Sequence, residues 1–168
     1  DPTRNRAEAY RMGLEAVRRG MGPRSYMNVC GGLYGPALGI ANAQRTGSDV
    51  KSLWPTPPAG QEDEGYGPFT IKQNTLRFWL NRLGYNDPDA LMVRRRPQAY
   101  RHEPLSLGLM NDEEALTTAL NQYLGGGLVC FTERLAEIDA DRLLLLRHGA
   151  PSIGRAALPL DAASGARF

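Results

Sequence analysis

At 168 residues, with 42% hydrophobic and 23% charged residues, the chain is long enough for one hydrophobic core and close to globular averages, which excludes disordered and fibrous classes. A net charge of +2, with acidic and basic residues interspersed, argues against a nucleic-acid or membrane partner. Two cysteines, Cys30 and Cys130, fit neither a disulfide framework nor a zinc-ligand spacing, so reduced thiols and no metal or other cofactor are expected.

In chain order, Asp1-Pro2 supplies an N-cap and first-turn proline. Ala7, Tyr10, Leu14 and Val17 then recur at helical spacing until Gly20 and Gly22. The run "SYMNVC", residues 25–30, reads as a short buried strand stopped by Gly31-Gly32, and "GIANAQR", residues 39–45, as a weaker second one. Pro55 to Gly67, rich in proline and glycine and carrying the acidic cluster Glu62, Asp63, Glu64, reads as an exposed loop long enough to be functional. Ile71, Thr75, Phe78, Trp79 and Leu83 trace a second helix ending at Gly84, and Ala90 to Val93 is strand-like. Arg94, Arg95 and Arg96, followed by Pro97, read as a solvated loop. Asn111 with Glu114 makes a capping-box start for a third helix through Leu116, Leu120 and Tyr123. "GLVCFT", residues 127–132, is a further buried strand with Cys130 as a core thiol. Asp139 caps a last helix carrying Leu143, Leu144 and Leu146, ended by Gly149 and Pro151.

Alternating strands and helices argue for parallel strands with helical crossovers, in a doubly wound sheet or in part of a (β/α)8 barrel. Four strands make about half of a barrel, which needs eight. Polar groups follow the apolar runs, at Cys30-Gly31-Gly32, at Arg45 to Asp49 and at Thr132-Glu133-Arg134, and such folds build active sites at the C-terminal ends of their strands. The pair Arg45 and Asp49, separated by Thr-Gly-Ser, therefore falls where chemistry is expected. Since Thr, Gly and Ser are poor helix formers, the pair is not simply an exposed helical ion pair.

Taken together, "EAYRMGLEAVRRGMGPRSYMNVCGGLYGPALGIANAQRTGSDVKSLW", "NDPDALMVR" at residues 86–94 and "YLGGGLVCFTERLAEIDADRLLLLR" resemble the bacterial α-galactosidases (melibiases) of glycoside hydrolase family 36. The matched elements are Arg11 to Arg18, Cys30-Gly31, Gly35-Pro36 with Gly39, and Arg45-Thr46-Gly47-Ser48-Asp49. The resemblance covers nearly the whole chain apart from 55–67 and 95–109. It implies a TIM-type (β/α)8 barrel, with residues 1–168 as the C-terminal half of the catalytic domain carrying about strands five to eight, and 55–67 as an exposed loop within it. It implies a retaining α-glycosidase acting on terminal α-galactosyl residues of galactosides or oligosaccharides. Asp49 matches the acid/base, Arg45 an arginine beside it that anchors the sugar 2-hydroxyl, and Cys30 with Gly31 the pocket wall. Asp89, in the segment similar to the family's Asn-Asp-Pro-Asp at strand seven, is expected to line the site, the alternative being that Asp87 and Asp89 only flank Pro88 in a turn.

The family's nucleophile lies in a K-x-D motif that this sequence lacks, and the paired aspartates that hold the 4- and 6-hydroxyls, as well as the C-terminal β-sandwich, are missing too. The segment alone is therefore expected to be inactive, with open sheet edges that favour self-association or a complementary N-terminal half. Against the glycosidase stand an inert or carbohydrate-binding barrel remnant, and an enzyme using Cys30 as a thiol nucleophile with His102 or His148 as base. N-acetylgalactosamine specificity and transglycosylation stay open. With no signal-like N-terminal segment in "DPTRNRAEAY" and no run near the roughly 20 apolar residues of a membrane span, a cytoplasmic location is expected.

Overall fold

The computed structural model describes residues 3–51, 54, 67–95 and 110–161. Helix α1 (Arg6–Met21) starts at Asn5, not at the Asp1-Pro2 pair. The Asn5 side chain accepts from the Glu8 amide and the Glu8 carboxylate accepts from the Asn5 amide, so two otherwise orphan donors are satisfied at once. Of its predicted apolar face, Tyr10 and Leu14 are half-buried while Ala7 and Val17 are exposed. Leu14 packs against Met27, Val29 and Ile40. Arg18 fastens the helix further, donating to the carbonyls of Ser25 and Ile40 and to Asn42 Oδ1.

After α1 come β1 (Asn28–Val29), a one-turn α2 (Tyr34–Ala37), β2 (Ala43–Arg45) and α3 (Gly67–Leu76). A 3₁₀ turn over Phe78–Arg82 leads to β3 (Tyr85–Asp87) and β4 (Ala90–Leu91). The chain closes with α4 (Asp112–Gly125), β5 (Cys130–Phe131), a 3₁₀ turn at Leu135–Glu137 and α5 (Ala140–Gly149). Strands β1, β2 and β3 form one parallel sheet in that order, with Asn28 opposite Ala43 and Arg45 opposite Asp87. Strands β4 and β5 pair in parallel, Ala90 opposite Cys130. The two sheets are stitched where the Leu128 amide donates to the Asn86 carbonyl at 2.7 Å. This approach needs Gly127, since a Cβ there would stand 2.0 Å from the Asn86 oxygen.

The fold is thus α/β with parallel strands and helical connections, as the alternation predicts. Among the described residues β1 and β5 each have a strand neighbour on one side only, so no barrel closes. No helix among them is long and apolar enough to cross a membrane.

Several elements differ from expectation. The predicted strands shrink to two or three residues each, and β3 has no counterpart among them. The helix predicted to run to Leu83 breaks at Arg77 and continues as a 3₁₀ turn. Gly67, assigned to the loop, opens α3 and is buried. The rest of that loop, with its acidic cluster, lies outside the described residues, as does His102. On α4 the capping box of Asn111 and Glu114 forms, but Leu116 and Leu120 are exposed. The buried residues are Ala115, Ala119, Asn121 and Gln122. The reason lies in α3, which turns polar residues toward α4: Asn121 Nδ2 donates to Thr75 Oγ1 at 3.0 Å, and small alanines allow the approach. Asp139 stands at the N-cap of α5, but its side chain makes no capping bond and instead faces Arg95.

The main core joins Leu91, Val93, Met110, Ala115, Ala119 and Leu146, with Trp54, Leu143 and Leu145 packed against it. The arginine run is no solvated loop at its start. Arg94 is buried against Glu133 at 2.8 Å, and Arg95, which is exposed, gathers Asp112 and Asp141. Arg96 lies outside the described residues. Arg142, also buried, donates to the carbonyls of Val93 and Met110 and to Asp112, tying together the two ends of the excursion between them.

Candidate active site

Parallel register and the two-residue alternation of strands decide which side chains meet. Met27 and Val29 point to the α1 side and are buried, so Asn28 and Cys30 point to the opposite face. In register with them stand Ala43 and Arg45 of β2, then Tyr85 and Asp87 of β3. This face carries polar and aromatic groups instead of a core, and Tyr26, Cys30, Tyr85 and Cys130 are exposed on it.

Arg45 is its centre. Its Nε donates to Asp87 Oδ2 at 3.2 Å, its Nη1 to Asp49 Oδ1 at 3.0 Å, and its Nη2 lies 3.0 Å from Asp89 Oδ1. One planar guanidinium thus divides its donors among three carboxylates, which an ammonium on a lysine stem would not do with fixed geometry. Burial works against the charge on Arg45. Asp89 and Asp87 outweigh it and hold the guanidinium pKa above its usual value.

The three carboxylates are not equivalent. Asp87 is buried and fully engaged: Oδ2 also accepts from Asn28 Nδ2 at 2.6 Å, and Oδ1 accepts from the Asp89 amide at 2.9 Å. Asp89 gives Oδ1 to Arg45 and Oδ2 to the Val50 amide at 2.8 Å. Asp49 gives Oδ1 alone to Arg45, and 92% of its side-chain surface is exposed, so its Oδ2 is accessible for a ligand.

The turn that carries Asp49 is held from below. Thr46, 1% exposed, donates its hydroxyl to Asn74, and its amide donates to the Asp87 carbonyl. The Ser48 amide donates to Gln73 Oε1 at 2.9 Å. Tyr34 donates to the Arg45 carbonyl, while Arg77 donates to the Thr46 carbonyl and lies over the Tyr34 ring.

Of the residues expected to form the site, Arg45, Asp49 and Asp89 meet directly. Cys30 lies on the same face, close enough for its thiol to be felt at Arg45. Gly31 follows it at φ +65°, a left-handed conformation natural to glycine. Asp87 and Asn28 were not expected there. Both signals were present: Asn28 is two positions from Cys30 and so shares its face, while Asp87 was masked by the turn-like appearance of Asn-Asp-Pro-Asp. His148 sits exposed in the last turn of α5 and no hydrogen bond joins it to Cys30.

Cys130 is exposed at the site and not a core thiol. Partial burial, then the charges of Asp87 and Asp89, push its pKa above the ordinary 9.0, with Arg45 opposing. Its thiolate is therefore disfavoured in the folded chain. Alkylation of Cys130 by iodoacetamide at pH 8 is expected to be slower in the folded chain than after denaturation in urea, read by peptide mass spectrometry. Because the folded state holds this proton more tightly, the associated stabilisation is present below pH 9.0 and fades as the pH rises through the folded value. Equal alkylation rates in the two states would contradict the electrostatics described.

No family model matches the sequence. In fold the chain is similar to TtGalA, the alpha-galactosidase from Thermus thermophilus, in its complex with stachyose. The TM-score is 0.69 with 18% identity, over 86% of this chain and 30% of that one. For the complex of the same enzyme with p-nitrophenyl alpha-D-galactopyranoside the TM-score is 0.67, again at 18% identity, over 83% and 28% of the two chains. The chain therefore shares the fold of a segment of an α-galactosidase, spanning less than a third of that enzyme's length.

Proposed function

We propose that the chain is the acid/base-bearing part of a retaining α-galactosidase, corresponding to strands five to eight of its (β/α)8 barrel. The observation that carries this is Asp49. It alone among the three carboxylates around Arg45 combines exposure with an oxygen left open, at the C-terminal end of a parallel strand. The fold neighbour and the matched motifs supply the reaction class and the galactoside substrate.

In the first step, the Asp49 carboxyl gives its proton to the glycosidic oxygen as the bond from that oxygen to the anomeric carbon breaks. A carboxylate on the opposite side of the sugar, supplied from outside this chain, bonds to the anomeric carbon. In the second step, Asp49, now a carboxylate, takes a proton from water as the water oxygen displaces that ester. Arg45 fixes the rotamer of Asp49 through Oδ1 and, with Cys30 and Gly31, forms the wall beside the sugar 2-hydroxyl.

The test uses p-nitrophenyl α-galactoside. The chain alone is expected to release no nitrophenol. The same chain joined to a segment bearing the nucleophile strand releases it, with α-galactose as the first-formed anomer by proton NMR. First-formed β-galactose would overturn double displacement. Turnover by the chain alone, lost in Asp49→Ala, would mean that a carboxylate within these residues is the nucleophile. Binding of galactose without turnover in the joined protein would favour a carbohydrate-binding remnant.

A further inference from the structure

We propose that Asp89 is a positioning residue for Asp49 and not a ligand of the sugar. This rests on the reading of Asp49 as the acid/base and adds what holds it in place.

Asp89 is the only non-glycine among the described residues with positive φ, at +73°. A carboxylate residue tolerates this conformation better than most but does not favour it, so its surroundings must impose it. They do so from every side. Its amide donates to Asp87 Oδ1, and its carbonyl accepts from Gln122 Nε2 at 3.1 Å. Gln122 is buried, and its Oε1 is left without a partner among the described residues, so this amide is turned to serve Asp89 at its own cost.

The imposed conformation aims the carboxylate at two targets. Oδ1 receives Arg45 Nη2 and Oδ2 receives the Val50 amide. Val50 directly follows Asp49, and Arg45 Nη1 holds Asp49 itself. Asp89 therefore grips the backbone on one side of Asp49 directly and, through Arg45, its side chain on the other. Both oxygens thus already hold a protein partner, in contrast with Asp49, whose Oδ2 holds none. Pro88-Asp89 lies between β3 and β4, and from there the Asp89 carboxylate reaches the turn after β2.

The experiment compares wild type with Asp89→Ala and with Asp89→Asn, which keeps the shape of the side chain. In the chain itself, hydrogen exchange of the Val50 amide is expected to accelerate by about tenfold or more in Asp89→Ala, with the amides of α4 unchanged. Unchanged Val50 exchange would overturn the clamp. In the joined protein, kcat on an α-galactoside with an alkyl leaving group is expected to fall about tenfold or more in both variants. On the nitrophenyl galactoside, which needs little proton donation, kcat/KM, which reports the first step alone, falls much less. Equal losses on the two substrates, carried by KM, would make Asp89 a sugar ligand and overturn the proposal. If wild-type joined protein cleaves neither substrate, the reading of Asp49 fails, and the Val50 exchange still decides whether the clamp exists.

Discussion

Replacing Asp49 by Asn in the joined protein is expected to lower kcat/KM by about 10²–10⁴ on galactosides with poor leaving groups, the usual contribution of general acid catalysis. Asn cannot deliver a proton, yet it keeps the size of the side chain and one oxygen for Arg45, so little else at the site should move. The loss should depend on the leaving group. A nitrophenol departs with little protonation, so the glycosyl-enzyme still forms, while the second step lacks its base and the intermediate accumulates. A burst of nitrophenol followed by a slow steady state is the kinetic signature. Azide, which attacks without needing deprotonation, should raise the steady-state rate and yield a galactosyl azide. Equal loss on alkyl and nitrophenyl galactosides, with no burst and no azide rescue, would remove Asp49 from the acid/base role.

The largest stability effect is expected away from the site, at Glu133. Its side chain is fully buried and that of Arg94 only 3% exposed. Glu133 Oε2 accepts from Arg94 Nη1, and Oε1 accepts from the amides of Val93 and Arg94. Glu133→Ala removes a buried carboxylate from the Arg94 guanidinium and from two backbone donors at once, a change worth about 3–5 kcal/mol. That is a large part of the roughly 5–15 kcal/mol that holds an ordinary domain folded. In urea the midpoint should drop steeply. Arg134→Ala, which removes an exposed pair with Glu137 only three residues away, should hardly move it. Comparable shifts for the two variants would show that the buried pair carries no special weight.

What was legible in the sequence depended on whether the signal was local. The capping box at Asn111 and Glu114 is complete within four residues and could be read directly. The equivalent box at Asn5 and Glu8 is just as local, but Asp1-Pro2 offers a competing start a few residues earlier. Strand β3 was illegible for a different reason. Tyr85-Asn86-Asp87 has the composition of a turn, and it is extended because parallel pairing with β2 supplies what local propensity does not. The face of α4 was misjudged because leucines outrank asparagine and glutamine on any hydrophobic scale. The neighbour in space, α3, happens to present polar groups there. Within the site, Arg45 and Asp49 stood out by spacing and by position after a strand. Asp87 and Asn28 became visible only once the register aligned three strands.

The double grip of Arg142 on the carbonyls of Val93 and Met110 has a practical consequence for engineering. A segment whose ends are already fixed side by side adds little closure entropy when its length changes, since that cost grows only logarithmically. Residues 96–109 can therefore serve as a graft point. A reporter peptide or a second binding module inserted there would hang from a clamp made by α5. Arg142 itself would have to be kept, because without it the two ends lose their shared donor and an insert would be free to pull them apart.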